Sequence, residues 1–168
     1  YPSIKMARKR IKIDRIKTAG VIFPPPFIYL FSIIAGVIAN KLWRIRIFPN
    51  AAALAVASGT ILILIAISIF VGSLKILKRA KTPIRPDKPT LKIVKTGPYK
   101  FSRNPVYVSF AFTQIGIAIL LNNLWILIGL IPAIFLIHYG VISREEKYLE
   151  EKFGKEYIKY KNSVRRWI

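Results

Sequence analysis

The sequence predicts an all-α integral membrane protein, with four transmembrane helices and a cytoplasmic C-terminal amphipathic helical tail. Three observations carry that prediction. The 168 residues are 54% hydrophobic yet bear a formal net charge of +21, which suits neither a small soluble core nor a disordered basic tail. Three long stretches contain no Asp, Glu, Lys or Arg. The cations between them alternate between dense and sparse clusters, as loops on opposite sides of a bilayer do.

A bilayer crossing takes about 20 helical residues. The first uncharged stretch, Thr18 to Asn40, contains Pro24-Pro25-Pro26. Proline fits only the first turn of a regular helix, so the span begins there and covers about 24–42. Lys41-Leu42-Trp43-Arg44 follows in place of the small residues of a signal-peptide cleavage site, so this helix is expected to be retained. The second stretch, Ile47 to Leu74, is rich in Ala, Ile and Leu and gives a span over about 49–74. The third, Pro105 to Ser143, is too long for one crossing. Asn122-Asn123 divides it into spans over 105–121 and 124–142, joined by a tight hairpin.

Seven Lys and Arg precede the first span, ten lie between Lys75 and Arg103, and eight between Arg144 and Arg166. The turn at 41–50 holds three and the Asn122-Asn123 turn none. With four spans, the three rich segments share one side, which the positive-inside rule makes cytoplasmic, together with both termini. The expected protein is a multi-pass cell-membrane protein. It comprises a basic cytoplasmic segment over 1–17 and one membrane domain over 18–168, with cytoplasmic segments at 75–104 and 143–168. Residues 1–5, before the sole methionine Met6, are set aside. The charge is thus assigned to topology and to membrane lipids rather than to nucleic acid. Cysteine is absent and His138 is the single histidine, so no metal site is expected.

Two cytoplasmic segments hold more than anchoring requires. In the first, Gly97-Pro98 marks a turn, and Arg103-Asn104-Pro105-Val106-Tyr107 opens the third span. Asn104 suits an N-cap, Pro105 the first helical turn, and free amides beside Arg103 suit an anion. Taken locally, capping alone also explains Asn104 and Pro105. In the second, Leu149, Phe153, Tyr157 and Tyr160 form one helical face, Gly154 breaks the segment in two, and five of the seven acidic residues are concentrated. A surface-lying amphipathic tail explains most of these. It explains Glu145 and Glu146 less well, because carboxylates at the mouth of a span need a partner. Arg103, Arg144, Arg165, Arg166 and a cationic ligand are all candidates for that role.

Together these pieces resemble the isoprenylcysteine carboxyl methyltransferases and their phospholipid methyltransferase relatives. The resemblance rests on Gly97-Pro98-Tyr99, Arg103-Asn104-Pro105-Val106-Tyr107, Glu145-Glu146, Phe153-Gly154, Tyr157, Tyr160 and Val164-Arg165-Arg166-Trp167, in the family's order across about 91–168. It implies an enzyme that transfers a methyl group from S-adenosylmethionine, leaving S-adenosylhomocysteine, to an amphiphilic or lipid-like acceptor. The acceptors in keeping with the resemblance are the carboxylate of a prenylated cysteine, an aminolipid or another amphiphile. Arg103, Asn104, Pro105 and Tyr107 are then expected to contact the cofactor. Glu145 or Glu146 would bind its ribose hydroxyls or ammonium group, with Tyr157 and Tyr160 closing the pocket. Arg165 or Arg166 would orient an anionic acceptor as the catalytic pair. Asn104 stands where the family has histidine, so any role for a titratable imidazole is lost there. His138 reads on its own as a helix-to-helix hydrogen-bonding residue. The rival reading is a non-enzymatic membrane scaffold or small transporter, for which the first three spans offer little polar chemistry.

Overall fold

The computed structural model describes residues 24–83 and 89–168; the basic segment expected over 1–17 lies outside the described residues. Among the described residues six α-helices follow one another: α1 (Pro25–Leu42), α2 (Ala52–Arg79), α3 (Pro105–Leu120), α4 (Leu124–Leu136), α5 (Ser143–Phe153) and α6 (Lys155–Ser163). A 3-10 turn at Gly97–Lys100 precedes α3, and a π-helical turn at Ile137–Ile142 joins α4 to α5 without a break. Among the described residues three helices are long and apolar enough to cross a bilayer: α1, α2 and the continuous run Leu124–Phe153. The fourth expected span, α3, has 16 residues and measures about 24 Å, shorter than the other three.

The helix ends follow local chemistry. Pro25 and Pro26 occupy the first turn of α1, where a missing N–H costs nothing. Asn122 turns the chain at φ 48°, a conformation asparagine tolerates. Its amide exchanges two hydrogen bonds of 2.7 Å with the backbone of Phe48, tying this hairpin to the α1–α2 turn. Asn123 caps α4 by accepting from Trp125 N and Ile126 N. Helix α2 continues past the expected end at 74 to Arg79, because Lys75, Lys78 and Arg79 are good helix formers whose long stems reach polar surroundings. Gly154 divides the tail as expected, with φ 55° and ψ −126°, a conformation a side chain would strain.

Close backbone approach holds the bundle. Helix α2 crosses α3 where Gly59 meets Gly116: a Cβ on Gly59 would lie 2.7 Å from Leu120 N and 2.9 Å from Gly116 O. Helix α1 meets α4 the same way at Gly36, whose Cβ would lie 2.7 Å from the backbone of Ile126. Buried Gln114 ties three helices, donating to Ser32 Oγ and Ile126 O at 2.9 Å each, while Ser32 donates to Gly129 O at 2.7 Å. Small residues and amide hydrogen bonds are the usual adhesive where lipid removes a hydrophobic incentive. Gly59→Leu is therefore expected to cost about 1–3 kcal/mol by overpacking. Thermal unfolding in detergent should show a clear drop in midpoint for Gly59→Leu. It should show almost none for Gly72→Ala, whose Cβ would meet only Pro98 Cγ at 3.5 Å.

Candidate functional site

The loop before α3 is held by local hydrogen bonds. Pro98 O accepts from Phe101 N and Ser102 N, and Ser102 Oγ accepts from Asn104 N at 3.0 Å. This delivers Arg103 inward, its side chain only 8% exposed. Asn104 occupies the N-cap position of α3 but does not cap it. Its Nδ2 donates instead to Arg166 O at 2.9 Å. Arg103 N donates to Arg165 O at 3.0 Å, and Ser102 Oγ donates to Arg166 O at 3.4 Å. The C-terminal residues after α6 are thus strapped along the start of α3.

The π-helical turn and α5 bring up the carboxylates. Glu146, 7% exposed, pairs with Arg103 Nη2 at 3.0 Å. It also accepts from Arg166 through a fork: Nε to Oε1 at 3.0 Å and Nη2 to Oε2 at 2.5 Å. This hydrogen bonding pushes the Arg166 pKa further up. Glu145 accepts from the Tyr107 hydroxyl at 2.8 Å. Tyr107, buried in the first turn of α3, in turn receives the Tyr29 hydroxyl of α1 on its backbone carbonyl at 3.3 Å.

A cleft of about 940 Å³ of atom-free space, its open mouth included, lies between these groups and the tail. Arg103, Asn104, Pro105, Tyr107, Glu145, Glu146, Tyr157 and Tyr160 all line it, so every residue expected to bind a cofactor reaches one cavity. Tyr157 and Tyr160 pack with Ile93 into a small apolar core that carries the far wall. Tyr160 donates to Tyr99 O at 2.8 Å. Burial pushes the Tyr160 phenol up to about 12, against the pull of Arg103, and raises Tyr157 and Tyr99 as well. The three phenols are therefore neutral donors at any physiological pH.

The two residues expected to orient an acceptor do not line the cleft. Arg165 is exposed and contributes its carbonyl; Arg166 stands behind Glu146 and contributes charge balance. Sequence reasoning missed Tyr99, Tyr148 and Thr90 as wall residues. The Tyr148 hydroxyl receives Thr90 N at 3.1 Å across 58 residues, a pairing that no local motif signals. Among the described residues, buried Arg103 Nε and Nη1 have no hydrogen-bond partner. Leaving such donors unmet costs about 1–3 kcal/mol, more for a charged group. Among the described residues no three His, Cys, Asp or Glu side chains converge where a metal would sit.

Fold and site define a multi-pass helical membrane protein with a charged, tyrosine-walled cleft where its apolar helices end. Residues 54–156, more than half of the chain, match the phospholipid methyltransferase family, and the chain belongs to that family. It is 44% identical over 72 residues to the protein-S-isoprenylcysteine O-methyltransferase of Saccharomyces cerevisiae; the match covers 43% of this chain and 30% of the yeast protein. It is 41% identical over 63 residues to an uncharacterized protein of Haemophilus influenzae, covering 38% of this chain and 100% of that one. No solved structure matches the chain.

Proposed function

We propose that the protein is an integral membrane methyltransferase that uses S-adenosylmethionine and acts on an amphiphilic or lipid-like acceptor. The observation that carries this reading is the pair of unmet donors on Arg103, a residue that lines the cleft together with Glu145. An amino-acid zwitterion supplies both complements, a carboxylate for the guanidinium and an ammonium for the carboxylate. Arg103 would hold the first and Glu145, oriented by Tyr107, the second. Glu146 is committed to two arginines, so of the two neighbouring carboxylates Glu145 is the better ligand group. Tyr157 and Tyr160 give an adenosine moiety an aromatic wall with neutral hydroxyls. When bound, the cofactor supplies an electrophilic methyl on a sulfonium. The protein's part is to place and desolvate the acceptor, and positioning alone is worth about 7–11 kcal/mol.

The topology we propose has four spans, with α3 crossing as a short helix beside α2 and both termini cytoplasmic. Local bilayer thinning accommodates a span this short. The cation distribution supports that orientation. The acceptor is either the carboxylate of a prenylated cysteine, as the yeast relative's name suggests for that protein, or an aminolipid, in keeping with the family's description. Isothermal titration of the nanodisc-embedded protein with S-adenosylhomocysteine should give saturable one-to-one binding. Labelled-methyl transfer into prenylcysteine or into phosphatidylethanolamine then tells the acceptors apart. Absence of cofactor binding in every lipid tried would sink the proposal.

A further inference from the structure

Asn104 and His138 lie far apart in sequence, yet both grip Arg166. Asn104 Nδ2 holds its carbonyl at 2.9 Å. His138 Nε2 stands 2.6 Å from its guanidinium Nη1. Arginine can only donate, so the imidazole accepts. The next residue, Trp167, stacks on the same imidazole at 6.5 Å between centroids and 18° between planes. Its indole nitrogen lies 3.2 Å from Nδ1. His138 is presented by the π-helical turn, whose Ser143 N–H and hydroxyl both reach back to His138 O. Such wide turns insert one extra residue and cluster at functional sites. Here His138, on this turn, and Glu146, on α5, both meet the Arg166 guanidinium.

We propose that His138 is a positioning residue for the cleft: it fixes Arg166 on Glu146 and so keeps Arg103 available to a ligand. The argument is a competition for one carboxylate. Arg166 occupies Glu146 Oε2 and shares Oε1 with Arg103 Nη2. If Arg166 leaves, Oε2 opens and Arg103 closes onto Glu146 as a two-pronged pair, the preferred geometry of arginine with carboxylate. One of the two unmet Arg103 nitrogens, Nε or Nη1, is then consumed. The consequence for ligand binding rests on the methyltransferase reading; the docking of the strap does not.

The test uses the full chain with Trp43→Phe and Trp125→Phe, leaving Trp167 as the sole tryptophan. In this background His138→Leu should shift Trp167 emission to longer wavelength as the strap undocks. It should also weaken S-adenosylhomocysteine binding about tenfold, the effect of one charge-assisted hydrogen bond. His138→Gln places an acceptor where Nε2 stood and should restore affinity. In an Arg166→Leu background, His138→Leu should add nothing further to the affinity loss. A role in helix packing alone would be neither rescued by glutamine nor silenced by Arg166→Leu. Unchanged emission and affinity in His138→Leu, or additive losses in the double variant, would overturn the proposal. If the unsubstituted protein binds no S-adenosylhomocysteine, the cofactor reading fails, and emission alone still decides whether His138 docks the strap.

Discussion

Glu146→Gln will destabilise the protein by about 3–5 kcal/mol, because it strips the counter-charge from a buried arginine while keeping the side chain's shape. Arg103 is 8% exposed and Glu146 7%, so little solvent is available to compensate. Arg166, 29% exposed, can turn outward; Arg103 cannot without unravelling the loop that Ser102 and Asn104 hold. Thermal unfolding in detergent should register the change as a midpoint lower by roughly 10 °C, at about 2–4 °C per kcal/mol for a chain of this size. The informative comparison is Arg103→Leu/Glu146→Leu. Replacing a buried ion pair by apolar groups is often neutral or better for stability, so this double variant should recover much of the midpoint and none of the S-adenosylhomocysteine binding. A Glu146→Gln protein as stable as the unsubstituted one would mean that water reaches this cluster and that its charges are not mutually dependent.

This cluster also marks where the sequence stopped being legible. Uncharged runs locate the apolar helices because burial of charge in lipid is expensive over a whole helix, and α1, α2 and the α3–α4 hairpin lie where those runs fall. Gly154 and Asn122-Asn123 were legible for a local reason, since each needs backbone freedom or capping chemistry that few residues offer. The residues that line the cleft were legible as a group through their ordered motifs. Their pairing was not. Arg103, Arg144, Arg165 and Arg166 were equal candidates for Glu145 and Glu146, and spacing cannot separate them. The answer depends on the π-helical turn, which adds a residue to one turn and leaves no mark in hydrophobic period. Asn104 shows the same limit. Its type and its place before Pro105 fit an N-cap, yet the strap's carbonyl lies close enough to take the side chain away. A long-range backbone partner overrode a local preference.

Arg103→Leu and Arg103→Lys separate the ligand's share of this arginine from the fold's. Glu146 keeps its two-pronged partner Arg166 in either variant, so neither should suffer the collapse expected of Glu146→Gln. Arg103, a residue of the cleft wall, by contrast loses its two unmet nitrogens, Nε and Nη1. Truncating one partner of a buried charged hydrogen-bonded pair costs about 2–5 kcal/mol of binding, a loss of roughly 30-fold to several thousand-fold in affinity. Lysine retains the charge but is a point donor on a flexible stem, and it cannot face Glu146 and a ligand at once as a planar fork does. Both variants should therefore bind S-adenosylhomocysteine at least 30-fold more weakly in isothermal titration, at the low end of that range. If lysine restores full affinity, the cleft recognises only charge, and the unmet donors are not the ligand's anchor. If lysine fails as leucine does, the fork itself is the recognition element. The arginine that opens α3 then serves both walls of the cleft, one prong spent on Glu146 and the others kept for the ligand.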